Sequence, residues 1–429
     1  MIQEIKIKNF LSFKDEVTFS FEASNDKFAE DCQVIQINEN TRLLRYAILY
    51  GYNASGKTNL LSVFSFLSQF WSYKPEDLDE GTGVIPFKLD QVSNTNLSCF
   101  DIIFYVGNVK YLYQLKLDSQ SVHFEKLSYY KSIQPIMLFE RIIKDGQSIV
   151  HFNSTHKDAD VVSNAARDEI NVKCLKNLSF FVARNQVNVS LPLIDAAKDW
   201  LRNNIMQTIT PATGLTNYAQ RKISTDSNLV GHILTFLKEA DFNVTNISTD
   251  IVDKHISDDT IKVLLEDDDI PKEEKERIKK EKTLKQLRTL FQHTVKNENG
   301  EEIYSFLGKD ESRGTMRIFG LEAALFSVLK INGILPIDEI ETSLHPKLLE
   351  KVLYEYLKTP IRSQIIIATH DDGLLDLTDD LIRKDSIWFT EKQENGITDI
   401  YKLTDFRGVN RLSSIREAYR NKRFGATMK

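Results

Sequence analysis

The sequence predicts an α/β protein: a mostly parallel sheet carrying a phosphate-binding loop, an antiparallel β subdomain beside it, and an inserted helical subdomain. Three observations predict this. A short apolar run over 45–50 ends at Gly51, and Leu60, Leu61, Phe64 and Leu67 then recur at helical spacing, giving strand, turn and helix. Two β-rich runs, 99–106 and 109–117, flank Gly107-Asn108, a strong hairpin signal. Near the end, a helix over 316–329 and strands over 333–337 and 364–368 restore the alternation expected of a parallel sheet.

The elements follow in order. Ile5 and Ile7 alternate with lysines, and Val17, Phe19 and Phe21 alternate with polar residues, so both stretches read as half-buried strands. A third antiparallel strand is expected over 122–130. From about 190 to 286 the pattern turns helical, with Ile233, Leu234, Leu237 and Ala240 marking one helix. Another is expected to start at Asp269, ahead of Pro271. Its sequence has almost no apolar face and reads as a solvated helix laced with ion pairs, the alternative being a protruding arm that touches a partner. A hairpin over 287–307 should turn at Asn299-Gly300. The expected division is therefore an N-terminal lobe over 1–190, a helical insertion over 191–286 and a C-terminal lobe over 287–429.

Composition bounds the function. With 41% hydrophobic residues a chain of 429 can bury a sizeable core, and no apolar run approaches the ~20 residues that span a bilayer. A first stretch that alternates polar with apolar is not a signal peptide. Three scattered cysteines, Cys32, Cys99 and Cys174, without metal-ligand spacing suggest reduced thiols and a cytoplasmic protein. A net charge of −6 argues against a uniformly basic nucleic-acid binder but leaves local basic patches open.

The chemistry concentrates in a few motifs. Gly51-Tyr52-Asn53-Ala54-Ser55-Gly56-Lys57-Thr58 matches the P-loop pattern and sits between a strand and a helix, as that pattern requires. Backbone N–H groups of Asn53, Ala54, Ser55, Gly56, Lys57 and Thr58 would surround phosphates at the positive end of the helix. Lys57 would reach the β- and γ-phosphates, and the Thr58 hydroxyl would ligate Mg²⁺. The apolar run 334–337 ends in Asp338-Glu339. A carboxylate at the carboxyl end of a strand beside a P-loop can hold the Mg²⁺ shell, which suits Asp338, and Glu339 would polarise the attacking water. Almost the whole chain lies between these two halves of one site, unlike ring-forming ATPases, in which the second motif follows much sooner.

An ordered series of motifs resembles ABC-type ATPases of the SMC and RecF kind, and most closely the AAA-labelled ATPases of abortive-infection and phage-defence loci, the RloA-like and AriA-like group. Asn9-Phe10-Leu11-Ser12-Phe13 is similar to the segment that packs beside the nucleotide. Glu311-Ser312-Arg313-Gly314-Thr315 resembles a reduced signature, Ser343-Leu344-His345-Pro346 the D-loop region, and Ala368-Thr369-His370 the switch histidine. Residues 387–389 and 423–425 are also similar to this group. Gln91 is the candidate for the Q-loop glutamine, with an ordinary surface glutamine as the alternative.

The resemblance implies an ABC-type ATPase head that binds ATP and Mg²⁺ between two copies held face to face, as a homodimer or higher homo-oligomer. One copy would offer Lys57, Thr58, Asp338, Glu339 and His370, and the other would offer the Ser312 hydroxyl and the Gly314 amide to the γ-phosphate. It further implies a regulatory subunit controlling a separate effector protein, a nuclease or toxin. The competing reading is a clamp on DNA or RNA, which needs a basic track: 271–288 and 405–429 are the candidate stretches. A transporter motor is not expected, because the signature is too far from the P-loop. A fused nuclease is not expected either, because the stretch after His370 is short and its aspartates read as a helix or loop start. His345 reads as a structural residue at a helix start.

Overall fold

The computed structural model describes all residues except 78, 155, 157, 158, 241, 268, 269, 299, 428 and 429. The chain divides into two compact units. The first comprises Met1–Thr213, Val328–Thr342 and Leu349–Lys429, and the second comprises Gly214–Ser327 and Ser343–Leu348.

The first unit is an α/β body with two large sheets and a small two-stranded one, Val34–Asn38 with Thr41–Leu44. Its five-stranded sheet has the order Ile334–Ile337, Gln364–Ala368, Tyr46–Tyr50, Ile387–Lys392 and Thr398–Lys402. The first four strands run parallel and the last is antiparallel. Three of them, Ile334–Ile337, Gln364–Ala368 and Tyr46–Tyr50, are buried at every position. That burial explains why they read as continuous apolar runs rather than alternating ones. The second sheet is antiparallel and seven-stranded, running from Gln147–Phe152 through Pro135–Lys144, Val122–Tyr130, Val109–Leu117, Ser98–Val106 and Ile2–Lys8 to Val17–Ser20. The expected hairpin at Gly107-Asn108 is present, with Gly107 at φ 59.

The helix Lys57–Phe70 shares one hydrophobic core with both sheets. Leu60, Leu61, Val63, Phe64 and Leu67 are almost wholly buried, each contributing about 1.5–3 kcal/mol by leaving water. Phe66 packs on Phe10 and Phe100, and Trp71 meets Tyr113 edge to face, so aromatic contacts join the helix to the antiparallel sheet. A fully buried ion pair, Glu125–Arg141 at 3.1 Å, stands within that sheet. Glu125 also accepts from Tyr113, Ser179 and the Phe180 N–H, while Arg141 donates to the carbonyls of Leu175 and Leu178.

An extended segment after the helix Pro192–Asn203 adds an outer edge to the parallel sheet. Ile205 and Ile209 bridge Ile334 and Ile337, and the Asp338 N–H donates to the Ile209 carbonyl at 2.7 Å. Pro336, which has no N–H to give, sits where this edge carries an extra residue, a position proline tolerates.

The second unit differs from the helical insertion expected over 191–286. It carries the helices Leu215–Ile223, Ser227–Glu239, Asp258–Glu266 and Lys272–Glu281 together with a three-stranded antiparallel sheet, Asn246–His255, Thr283–Asn297 and Gly300–Leu307. The strand Asn246–His255 escapes a periodicity reading because most of its residues are exposed or half-buried on both faces. The expected turn residue Asn299 and the expected helix start Asp269 lie outside the described residues. The helix Lys272–Glu281 buries only Ile278, and Arg277 bonds both Glu274 and Glu281, as a solvated, ion-paired helix should. Among the described residues no helix is long and apolar enough to cross a membrane.

Candidate nucleotide-binding site

The P-loop follows Tyr46–Tyr50, the middle strand of the five. Its tight path explains its glycines. A Cβ on Gly51 would come within 2.4 Å of the Ser55 and Thr390 hydroxyls, and one on Gly56 within 2.5 Å of the Thr398 hydroxyl. Gly56 also sits at φ +115, and Ala54 at φ 62, so two residues of the loop are in left-handed conformations. Gly51, Ser55, Gly56 and Lys57 are buried, whereas Asn53, Ala54 and Thr58 are exposed. Loop and helix start therefore present Asn53, Ala54 and Thr58 to solvent with the helix amides behind them.

Lys57 is almost fully buried, and its ammonium donates to the carbonyls of Gly51 at 2.7 Å and Tyr52 at 3.3 Å. Burial brings its pKa down to about 8, opposed by the nearby carboxylates of Asp338, Glu341 and Glu339. The next residue closes the site: Thr58 Oγ1 donates to Asp338 Oδ2 at 2.8 Å, joining residues from opposite ends of the chain. Asp338 is buried at the carboxyl end of its strand. Glu339, half-buried, follows at φ 48. A non-glycine residue held there costs of the order of 1–3 kcal/mol, and such strain gathers at functional positions.

His370 stands exposed at the end of Gln364–Ala368, the strand between the P-loop strand and the Asp338 strand. The three strand ends thus bring Lys57, Thr58, Asp338, Glu339 and His370 to one edge of one sheet, where open α/β sheets bind their ligands. Asn9 and Leu11 both have positive φ, at 52 and 51. Ser12 Oγ accepts from Asn59 at 2.6 Å and bonds the Thr398 hydroxyl at 2.8 Å, so this segment does lie against the P-loop helix.

Ser312 and Gly314 belong to the second unit. Ser312 is exposed and caps the helix Arg313–Ile331, its Oγ accepting the Thr315 N–H at 3.0 Å. A Cβ on Gly314 would stand 3.4 Å from the Ser343 carbonyl. His345 Nδ1 accepts the Lys347 N–H at 3.3 Å at the start of the helix Pro346–Leu357, in keeping with a structural role. Asp371 caps the short 3₁₀ turn Asp372–Leu377 through the Gly373 N–H, as a loop start should. Gln91 is exposed, and no hydrogen bond joins it to the P-loop among the described residues.

Several contacts were beyond sequence reasoning. Ser55 Oγ bonds Thr390 at 2.6 Å, and Thr398 donates to the Ser55 carbonyl at 2.9 Å, so the two strands after Ile387 buttress the loop. Glu341 accepts from the Thr369 hydroxyl and the His370 N–H. Such pairs join residues far apart in sequence, and no local pattern announces them.

Loop, helix and strand-end carboxylate define a P-loop protein of the AAA type. Over residues 47–376 the chain matches, and belongs to, the family described as "AAA domain, putative AbiEii toxin, Type IV TA system". No curated protein matches it significantly. Among solved structures it is similar to the SMC head domain from Thermotoga maritima, with 11% identity and a TM-score of 0.39 over 94% of this chain and 98% of that one. It is also similar to an SMC head bound to the C-winged helix domain of ScpA, at 12% identity and a TM-score of 0.43 over 94% and 99%. A third is the SMC head domain with an extended coiled coil from Pyrococcus furiosus, at 11% identity and a TM-score of 0.39 over 99% and 98%.

Proposed function

We propose that the protein is an ABC-type ATPase that binds and hydrolyses ATP with Mg²⁺ and acts as the regulatory switch of a defence system, controlling a separate effector. The observation that carries the ATPase reading is the 2.8 Å bond between Thr58 and Asp338 beside the buried Lys57. This arrangement suits a phosphate-bound cation. Thr58 and Asp338 supply hard oxygen donors, and Mg²⁺ needs few protein ligands when phosphates and water complete its shell. When bound, the ion would neutralise charge on the phosphates. Lys57 would hold the β- and γ-phosphates, Glu339 would orient a water, and His370 would face the terminal phosphate.

Ser312 and Gly314 are proposed to grip the same phosphate from a second copy, making ATP the link between two chains. Loss of the terminal phosphate would then release that link. The family's printed description, which names a toxin and a toxin–antitoxin system, supports control of an effector, with the RloA-like and AriA-like group as the finer assignment. The test is co-purification: Glu339→Gln protein loaded with ATP should form a stable dimer and retain a separate protein. Wild-type turnover by Glu339→Gln would sink the catalytic assignment.

The nucleic-acid clamp keeps one supporting observation. Arg407 and Arg411 line a cavity of about 1090 Å³ and make no ion pair among the described residues. Other cations in the candidate stretches are paired: Arg277 with Glu274 and Glu281, Lys282 with Asp258, and Arg416 and Arg420 with Asp372. Steep salt dependence of DNA binding would favour the clamp, and salt-insensitive binding of a protein the regulator.

A further inference from the structure

Glu341 lies two residues beyond Glu339 and joins the strand ends that carry Glu339 and His370. Its Oε1 accepts the His370 backbone N–H at 2.7 Å and its Oε2 accepts the Thr369 hydroxyl at 2.7 Å. Thr369 is fully buried, and its Oγ1 also accepts the Asp371 N–H at 3.0 Å, so its single proton is committed to Glu341. One residue earlier the Ile340 N–H reaches the Ala368 carbonyl at 3.4 Å, and the Thr342 N–H closes onto the Glu339 carbonyl at 3.0 Å. Residues 339–342 are thus a turn docked on the end of the neighbouring strand, with the left-handed Glu339 at its start.

We infer that Glu341 is a positioning residue for hydrolysis: its carboxylate clamps the turn holding Glu339 to the strand end holding His370 and so sets the distance between them. The inference rests on the hydrolytic reading of the site. Bonds to an ionised acceptor are the strong kind, and this carboxylate spends one oxygen on each partner. Glu341 therefore acts through Glu339 and His370 rather than on the nucleotide. Its role is geometric, and this separates it from a base: an amide of the same shape can still accept from the His370 N–H and can donate to the Thr369 oxygen.

The experiment compares Glu341→Ala and Glu341→Gln in the full chain at pH 6.5, where Lys57 is charged. It reads ATP affinity, turnover, and hydrogen exchange in a peptide spanning residues 369–371. Glu341→Ala should bind ATP within about threefold of wild type yet lose about a hundredfold in kcat, the scale set by a misplacement of the order of 1 Å. Its His370 amide should exchange at least about tenfold faster, because the bond that protects it is gone. Glu341→Gln should keep kcat within about fivefold and retain the slow amide. Full activity in Glu341→Ala, or a Glu341→Gln as inactive as Ala, would overturn the clamp. An unchanged His370 amide in Glu341→Ala would overturn it whatever the turnover. A wild type that binds ATP without hydrolysing it counts against the hydrolytic reading, and the amide exchange still decides the clamp.

Discussion

The P-loop unit and the inserted unit over 214–327 place their polar residues on different terms. In the first, key polar groups are buried and matched: Lys57 on two carbonyls, Asp338 on the Thr58 hydroxyl, Glu125 on Arg141, Thr398 on Ser12 and Ser55. In the second, the strands Asn246–His255 and Gly300–Leu307 and the helix Lys272–Glu281 are mostly exposed, and their ion pairs lie at the surface. A buried polar group must find a partner, so its place is dictated, whereas an exposed one is free to vary. Substitutions should therefore be costly in the first unit and mild in the second.

The largest effect is expected where a charge would be stranded. Arg141→Met leaves Glu125 buried without its cation and should cost about 3–5 kcal/mol in denaturant unfolding. Equal stability would show that the antiparallel sheet does not depend on this pair. Next, Lys57→Ala should weaken ATP binding about a hundredfold or more in a nucleotide titration, since it removes the buried cation proposed to hold the phosphates. Unchanged affinity would break the assignment of the loop.

A pH series sharpens the same point. Lys57 is held below its ordinary value, at about 8, and only its charged form attracts phosphate. Nucleotide affinity should be flat below pH 8 and fall as pH rises through it, by up to tenfold per pH unit. A profile without a break between pH 7 and 9 would contradict that environment. The smallest effect belongs to the inserted unit: Ile251→Thr, at a position 68% exposed, should change stability by less than about 0.5 kcal/mol. A larger loss would show that this face is covered by something.

The same contrast explains how much of the molecule was legible. The strand–loop–helix at 46–70, the hairpin at Gly107-Asn108 and the strand ending at Asp338 follow from buried runs and turn chemistry, which leave local marks. The meeting of Thr58 with Asp338 was legible as well, because the two motifs imply each other. The strand Asn246–His255 was not, since exposure on both faces erases its alternation. The hairpin between Pro135–Lys144 and Gln147–Phe152, which turns through Asp145 and Gly146 with positive φ, also went unread. Glu341, Thr390 and Thr398 support the site through side-chain bonds across the sheet, and a motif search over neighbouring residues does not see them.

The central claim is that Thr58, Asp338 and Glu339 form an ATP-hydrolysing site, and turnover of MgATP by wild type and Glu339→Gln, measured together with retained nucleotide, tests it most directly. The account predicts steady phosphate release by wild type, and a Glu339→Gln protein that binds ATP as tightly but keeps it unhydrolysed. Phosphate release at the wild-type rate by Glu339→Gln, or none by a wild type that binds MgATP, would contradict it.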